Sequence, residues 1–228
     1  SGGVERAVVV GPKPELERAL SAAAEWSQGF VEIEQSGNSF EENLLIGLNK
    51  MRFDVPFLLV TCDLPFLTGQ AVSDFLTRCK MYSADAFYPA VTREVTEAEY
   101  PGSGRTFIKL RDAEFTAGNL ILVDPAVFAR AKRAIFFAIS MRKRPWQIAR
   151  LLGPWYLIKF VLGRLSIRDV ERRVKQVFGF DGKIVVSEFA GIGMDVDKPS
   201  HLRLARQILG SERSGCWNEE AGVLERRP

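Results

Sequence analysis

Short apolar runs separated by capped helical stretches constrain this chain more than any other feature. Arg6-Ala-Val-Val-Val10 reads as a buried strand closed by Gly11-Pro12. The alanine-rich stretch from Glu15 to Trp26 reads as a helix. Phe30-Val-Glu-Ile-Glu34 alternates apolar and acidic residues, the pattern of a strand with one wet face. Ser39 followed by Glu42 forms a capping box for a helix to about Met51. Pro56 to Thr61 reads as an apolar strand, Thr68 caps a helix to about Lys80, and Ala84 to Pro89 is the next strand. Strands and helices alternating at this spacing predict an α/β fold, a mostly parallel sheet flanked by helices.

Further along the pattern changes. Glu94 to Glu99 is acidic and reads as a loop or short turn, and Pro101-Gly-Ser-Gly104 as a flexible stretch. Thr106 to Leu110 and Asn119 to Val123 read as strands joined by a polar connection. Asp124-Pro125 caps a helical region that runs to about Phe178. Lys183 to Ser187 is the last strand, and Ser200 caps a final helix to Leu209. Residues 1–210 read as one domain with a helical insertion at about 125–178, and 211–228 as a polar tail. From Arg130 to Arg168 the chain holds ten Lys or Arg and no acid, so the insertion is basic.

Composition excludes several classes. A net charge of +3 over 228 residues is too small to imply nucleic-acid binding by itself. Three cysteines, Cys62, Cys79 and Cys216, have no metal-type spacing and fit reduced thiols in a cytoplasmic protein. A single histidine, His201, rules out a His-rich metal site and argues against a Ser-His-Asp triad. No apolar run is long enough to span a bilayer.

Asp63 sits just past the apolar strand, in Val60-Thr-Cys-Asp-Leu-Pro-Phe-Leu-Thr68. In an open parallel sheet ligands bind beyond the carboxyl ends of the strands, so Asp63 either holds Mg²⁺, which prefers oxygen ligands, or merely caps a turn. A second motif, Gly191-Ile-Gly-Met-Asp-Val-Asp-Lys-Pro-Ser200, places Asp195 and Asp197 two residues apart before the last helix. In an extended segment they share a face and could clamp a metal with Asp63, or serve only as acids favoured at a helix N-terminus. Arg105, Lys109 and Arg111 would share one face of a strand, either to bind acceptor or triphosphate, or as a solvated edge.

CDLPFLT after a strand, then FTAGNLILVDP, then GIGMDVDKPSHLRLA, in that order, resembles the MobA-like nucleotidyltransferases of the GT-A-type NTP transferase superfamily. The resemblance covers about Gly3 to Leu209. It implies a GT-A/Rossmann-like fold and Mg²⁺-dependent joining of an NTP to a phosphorylated or cofactor acceptor, with release of pyrophosphate. Asp63 matches the first metal-binding aspartate, and Asp197, with Asp195 just before it, the aspartate of the terminal D-x-P motif. Gly118 and Asn119 match the Gly-Asn near the acceptor. The acceptor stays open between a molybdopterin and a sugar-phosphate, polyol-phosphate or lipid-headgroup molecule.

The family also builds its nucleotide site on an N-terminal strand, a glycine-rich loop and a lysine. Gly11-Pro12-Lys13 follows a strand, but Pro12 and Pro14 remove two amide donors. The chain therefore reads as an N-terminally incomplete copy. The competing reading is a catalytically inactive module that binds an anionic membrane surface or another anion through the basic helices 130–168, with Trp146, Trp155, Tyr156 and Phe160 at the interface. Such peripheral contact would also serve a transferase whose acceptor is lipid-linked. A glycosyltransferase of the same fold predicts D-x-D after the mid-chain strand, where this sequence has Cys62-Asp63-Leu64.

Overall fold

The structure is a computed structural model that describes residues 4–21, 29–52, 54–131 and 153–214, with side chains described to 210. Its elements run in the order β1 (Ala7–Gly11), α1 (Lys13–Leu20), β2 (Val31–Gln35), α2 (Phe40–Leu48), β3 (Phe57–Val60), α3 (Gly69–Cys79), β4 (Ala86–Thr92) and α4 (Arg93–Glu99). Then follow β5 (Ile108–Lys109), β6 (Glu114–Ala117), β7 (Leu120–Val123) and a helix, α5, described over 125–131. The chain closes with α6 (Pro154–Val161), α7 (Ile167–Phe178), β8 (Gly182–Ser187), a 3-10 turn (Ala190–Gly193) and α8 (Pro199–Ser214).

The expected α/β class is the one observed, but the sheet is mixed where a mostly parallel one was expected: in the larger sheet only β4 and β8 pair in parallel, because β5, β6 and β7 return as antiparallel neighbours. β1 and β2 pair in parallel as a two-stranded sheet, and the other six strands form a second sheet around β4. β8 pairs with one edge of β4 in parallel, while β6 and β7 share the other edge, antiparallel. β3 is antiparallel to β7, so β3, β4 and β8 all point the same way and their carboxyl ends share one rim of the sheet. Helix α2 spans the two sheets. Leu44 and Leu48 pack with Phe57 and Leu59 of β3, and Gly47 faces Val10 of β1. A larger core, with Phe75, Val91, Leu120 and Ile192 fully buried, fills the space between α3, the sheet and α8.

Local signals act where expected. Ser39 Oγ accepts from the Glu42 N–H at 3.1 Å, although the Glu42 carboxylate returns to the Asn38 N–H, one residue before the cap. Thr68 Oγ1 accepts from Ala71 N–H at 3.2 Å, and Asp124 Oδ1 from Ala126 N–H at 2.8 Å. Four boundaries differ. Residues 93–99 form a helix because Thr92 caps it and its apolar side, with Thr96 and Val95, joins the core, which outweighs the acidic composition. The polar connection contains β6, paired with both β4 and β5. The strand expected over Thr106 to Leu110 is only Ile108–Lys109. The last helix starts at Pro199, so Ser200 lies inside it rather than capping it. The end of the alanine-rich helix past 21 and the basic stretch 132–152, with Trp146, lie outside the described residues, as do residues 215–228.

Candidate metal and phosphate site

Two loops meet at the rim where β3, β4 and β8 end. One follows β3 and carries Asp63; the other follows β8 and carries Asp195 and Asp197. Val196 N–H donates to the Asp63 carbonyl at 3.0 Å, which fastens one loop to the other. Gly191 lets them close: a Cβ there would overlap the carbonyl oxygen of Phe66, in the Asp63 loop. The 3-10 turn also ties in β7, since Asn119 N–H donates to Ile192 O at 3.1 Å while Asn119 O accepts from Thr61 N–H at 3.2 Å.

The outcome is a cluster of three carboxylates. One oxygen each from Asp63, Asp195 and Asp197 lies within 4.8 Å of the others. The fold brings these three acids together across more than half the chain. Asp63 Oδ1 is buried and has no hydrogen-bond partner, as is Thr61 Oγ1 two residues earlier. An unpaired buried acceptor is costly, and a cation would satisfy it. The donors are all oxygen, which suits a hard divalent cation such as Mg²⁺.

Arg105 complements the cluster from the inside. Its guanidinium forms an ion pair with the Asp195 carboxylate, and its Nη1 donates to the Asp195 carbonyl at 3.2 Å. Both side chains are buried, at 11% and 8% exposure. Burial opposes ionisation of Asp195, but a hydrogen bond shared with Asp197 and the charge and hydrogen bonds of Arg105 outweigh it and hold the carboxyl below its ordinary range.

The other candidates are distributed differently. Arg105 precedes β5 instead of sharing a strand face with Lys109 and Arg111, because the strand is only two residues long. Lys109 is exposed, and Arg111 pairs with Asp112 at 3.3 Å; neither makes an ion pair with the three carboxylates. Gly118 has a structural reason to be glycine: a Cβ would lie 2.6 Å from Pro89 Cγ and 2.8 Å from Ile192 Cγ2. The β4 pairing steps by two residues at Gly118-Asn119, from Ala90 opposite Ala117 to Ala86 opposite Val123. Asn119 is buried there.

The sequence reading missed two residues at the site. His201, given no role there, is buried with Nδ1 3.1 Å from the Asp195 carbonyl and 3.4 Å from the Asp197 N–H, so it straps the acidic loop to α8. Its position in the first turn of the last helix, just after the two aspartates, was the available signal. Thr61 could have been found from its spacing of two from Asp63.

No protein-family model matches the chain, and no curated protein matches it either. Solved structures do. A hypothetical transferase from Thermus thermophilus is 28% identical, with a TM-score of 0.70 over 87% of this chain and 99% of that one. The 4-diphosphocytidyl-2C-methyl-D-erythritol synthase of Anaerococcus prevotii is 11% identical, with a TM-score of 0.52 over 90% of this chain and 79% of that one. The chain therefore shares the α/β fold of these transferase and synthase structures, with three carboxylates gathered at the carboxyl rim of its larger sheet.

Proposed function

We propose that this protein is a MobA-like nucleotidyltransferase that joins an NTP to a phosphorylated or cofactor acceptor in a Mg²⁺-dependent reaction. The observation that carries the reading is the convergence of Asp63, Asp195 and Asp197 within 4.8 Å, with a buried, unpartnered Asp63 oxygen. An acceptor oxygen forms a bond to the α-phosphorus, the bond from that phosphorus to the bridging oxygen breaks, and the electron pair leaves with pyrophosphate. Bound Mg²⁺ would neutralise phosphate charge and orient the triphosphate.

Asp63 and Asp197 would hold the metal. Asp195, fixed by Arg105 and next to the His201 strap, positions Asp197 and keeps the cluster anionic. Lys109 and Arg111 are the candidates for phosphate contact, and Gly118 and Asn119 for the acceptor side. The similarity to a hypothetical transferase and to a synthase named for a diphosphocytidyl product supports this class. Such chemistry asks the protein for position and charge and needs no catalytic histidine.

The test is pyrophosphate release by the protein with each NTP, Mg²⁺ and a panel of phosphorylated acceptors. Mg²⁺-dependent release abolished by Asp63→Ala supports the assignment; a fully active Asp63→Ala enzyme rules it out.

A further inference from the structure

A surface helix ordinarily turns its apolar face to the core. Helix α6 does the reverse. Trp155, Leu157, Ile158 and Val161, with Leu162 at its C-cap, fall on one side at helical spacing, and that side faces outward. Trp155 is 65% exposed, Ile158 50%, Val161 77% and Leu162 61%. The opposite side carries Tyr156 and Lys159. Lys159 Nζ donates to the buried Asp169 carboxylate at 2.9 Å, and the Arg173 guanidinium lies 5.6 Å from the Tyr156 ring centroid. Polar contacts thus hold the helix down while its apolar side is presented to the outside. Gly153 and Gly163, both at positive φ, turn the chain at either end. A contiguous apolar patch of this kind marks an interaction surface.

Charge identifies what it meets. The sequence from Arg130 to Arg168 has ten cations and no acid, and Arg164 and Arg168 are exposed just beyond α6. Aromatic and aliphatic side chains flanked by cations match an anionic lipid surface, with rings and aliphatics in the headgroup–acyl boundary and cations at the phosphates. No helix among the described residues is long and apolar enough to cross a membrane.

We propose that α6 docks this protein on an anionic bilayer, through Trp155, Ile158 and Val161 with Arg164 and Arg168 beside them. The test is flotation of the full chain with phosphatidylcholine vesicles, with and without phosphatidylglycerol. The protein is expected to float with the anionic vesicles only and to be released as salt screens the charges. The double variant Ile158→Asp/Val161→Asp is expected to weaken partitioning at least about tenfold. Arg164→Glu/Arg168→Glu is expected to flatten the salt dependence. All four side chains are exposed, so both variants keep the melting temperature of the parent.

Absence of binding, equal binding to neutral vesicles, or an Ile158→Asp/Val161→Asp protein that floats like the parent each overturns the proposal. So does sedimentation showing a dimer that this variant converts to monomer without any vesicle binding, since the patch would then be an interface between copies.

Discussion

Val196 donates its backbone N–H to the carbonyl of Asp63 at 3.0 Å, so the spacing of carboxylates from the middle and the end of the chain is set by the backbone. Their approach depends on Gly191, whose missing Cβ leaves room for the Phe66 carbonyl. Gly191→Ala is expected to push the loops apart and to destabilise the fold by about 1–3 kcal/mol, as overpacking of a close contact does. Chemical denaturation gives the stability, and calorimetric titration with Mg²⁺ the loss of cation binding. An alanine variant with the parent's Mg²⁺ affinity would show that the backbone contact does not set the site.

Arg105 and Asp195 make a buried ion pair whose second partner is the acidic cluster itself. Arg105→Met leaves Asp195 buried without its counter-charge. Breaking such a pair costs about 3–5 kcal/mol. A divalent cation can replace the lost charge, so Mg²⁺ is expected to raise the melting temperature of Arg105→Met more than that of the parent. Equal shifts in the two proteins would separate Arg105 from the cation site.

Most of the strands, the caps at Ser39, Thr68 and Asp124, and the motifs that carry the three aspartates were legible in the sequence, because each rests on local pattern. What was hidden depends on contacts distant in sequence. Residues 93–99 look like an acidic loop until Thr96 is seen fully buried. Glu114–Ala117 looks polar until its pairing with β4 is known. Arg105 reads as one of three cations on a strand, and only the fold turns it ninety residues along the chain to Asp195. Gly118 reads as a ligand-side glycine, yet Pro89 and Ile192 already demand it.

Asp169 links pH to stability in the basic helical region. Lys159 donates to it, burial opposes its ionisation, and the Ser166 backbone and side chain also donate, so its carboxyl lies below the ordinary 3.8. A group depressed in the folded state contributes stability above its unfolded value and loses it as pH falls through the folded value. Stability is therefore expected to be level near neutral pH and to fall below about pH 4. Asp169→Asn should be less stable at pH 7 and show a shallower acid decline, measured by urea denaturation across pH. Parallel curves for the two proteins would remove Asp169 from the acid transition.

Cys62 and Cys79 offer a direct probe of opening at helix α3. Cys79 is buried on α3, and burial pushes its thiol up to about 12. At pH 8 its thiolate fraction in the folded protein is about one in ten thousand, and reagents need the thiolate. Cys62 is exposed, and although partial burial of its sulfur and then the Asp63 charge raise its thiol, it remains within reach of reagent. Alkylation mapped by peptide mass spectrometry is expected to label Cys62 before Cys79. Labelling of Cys79 should wait for the opening of α3 and follow the unfolding transition as denaturant is added. Because Phe75 and Ala71 share the buried face of α3 with Cys79, Phe75→Ala should speed labelling of Cys79 and leave that of Cys62 nearly unchanged. Equal acceleration at both thiols would mean that α3 and the Asp63 loop open as one unit, and that the carboxylate cluster comes apart with them.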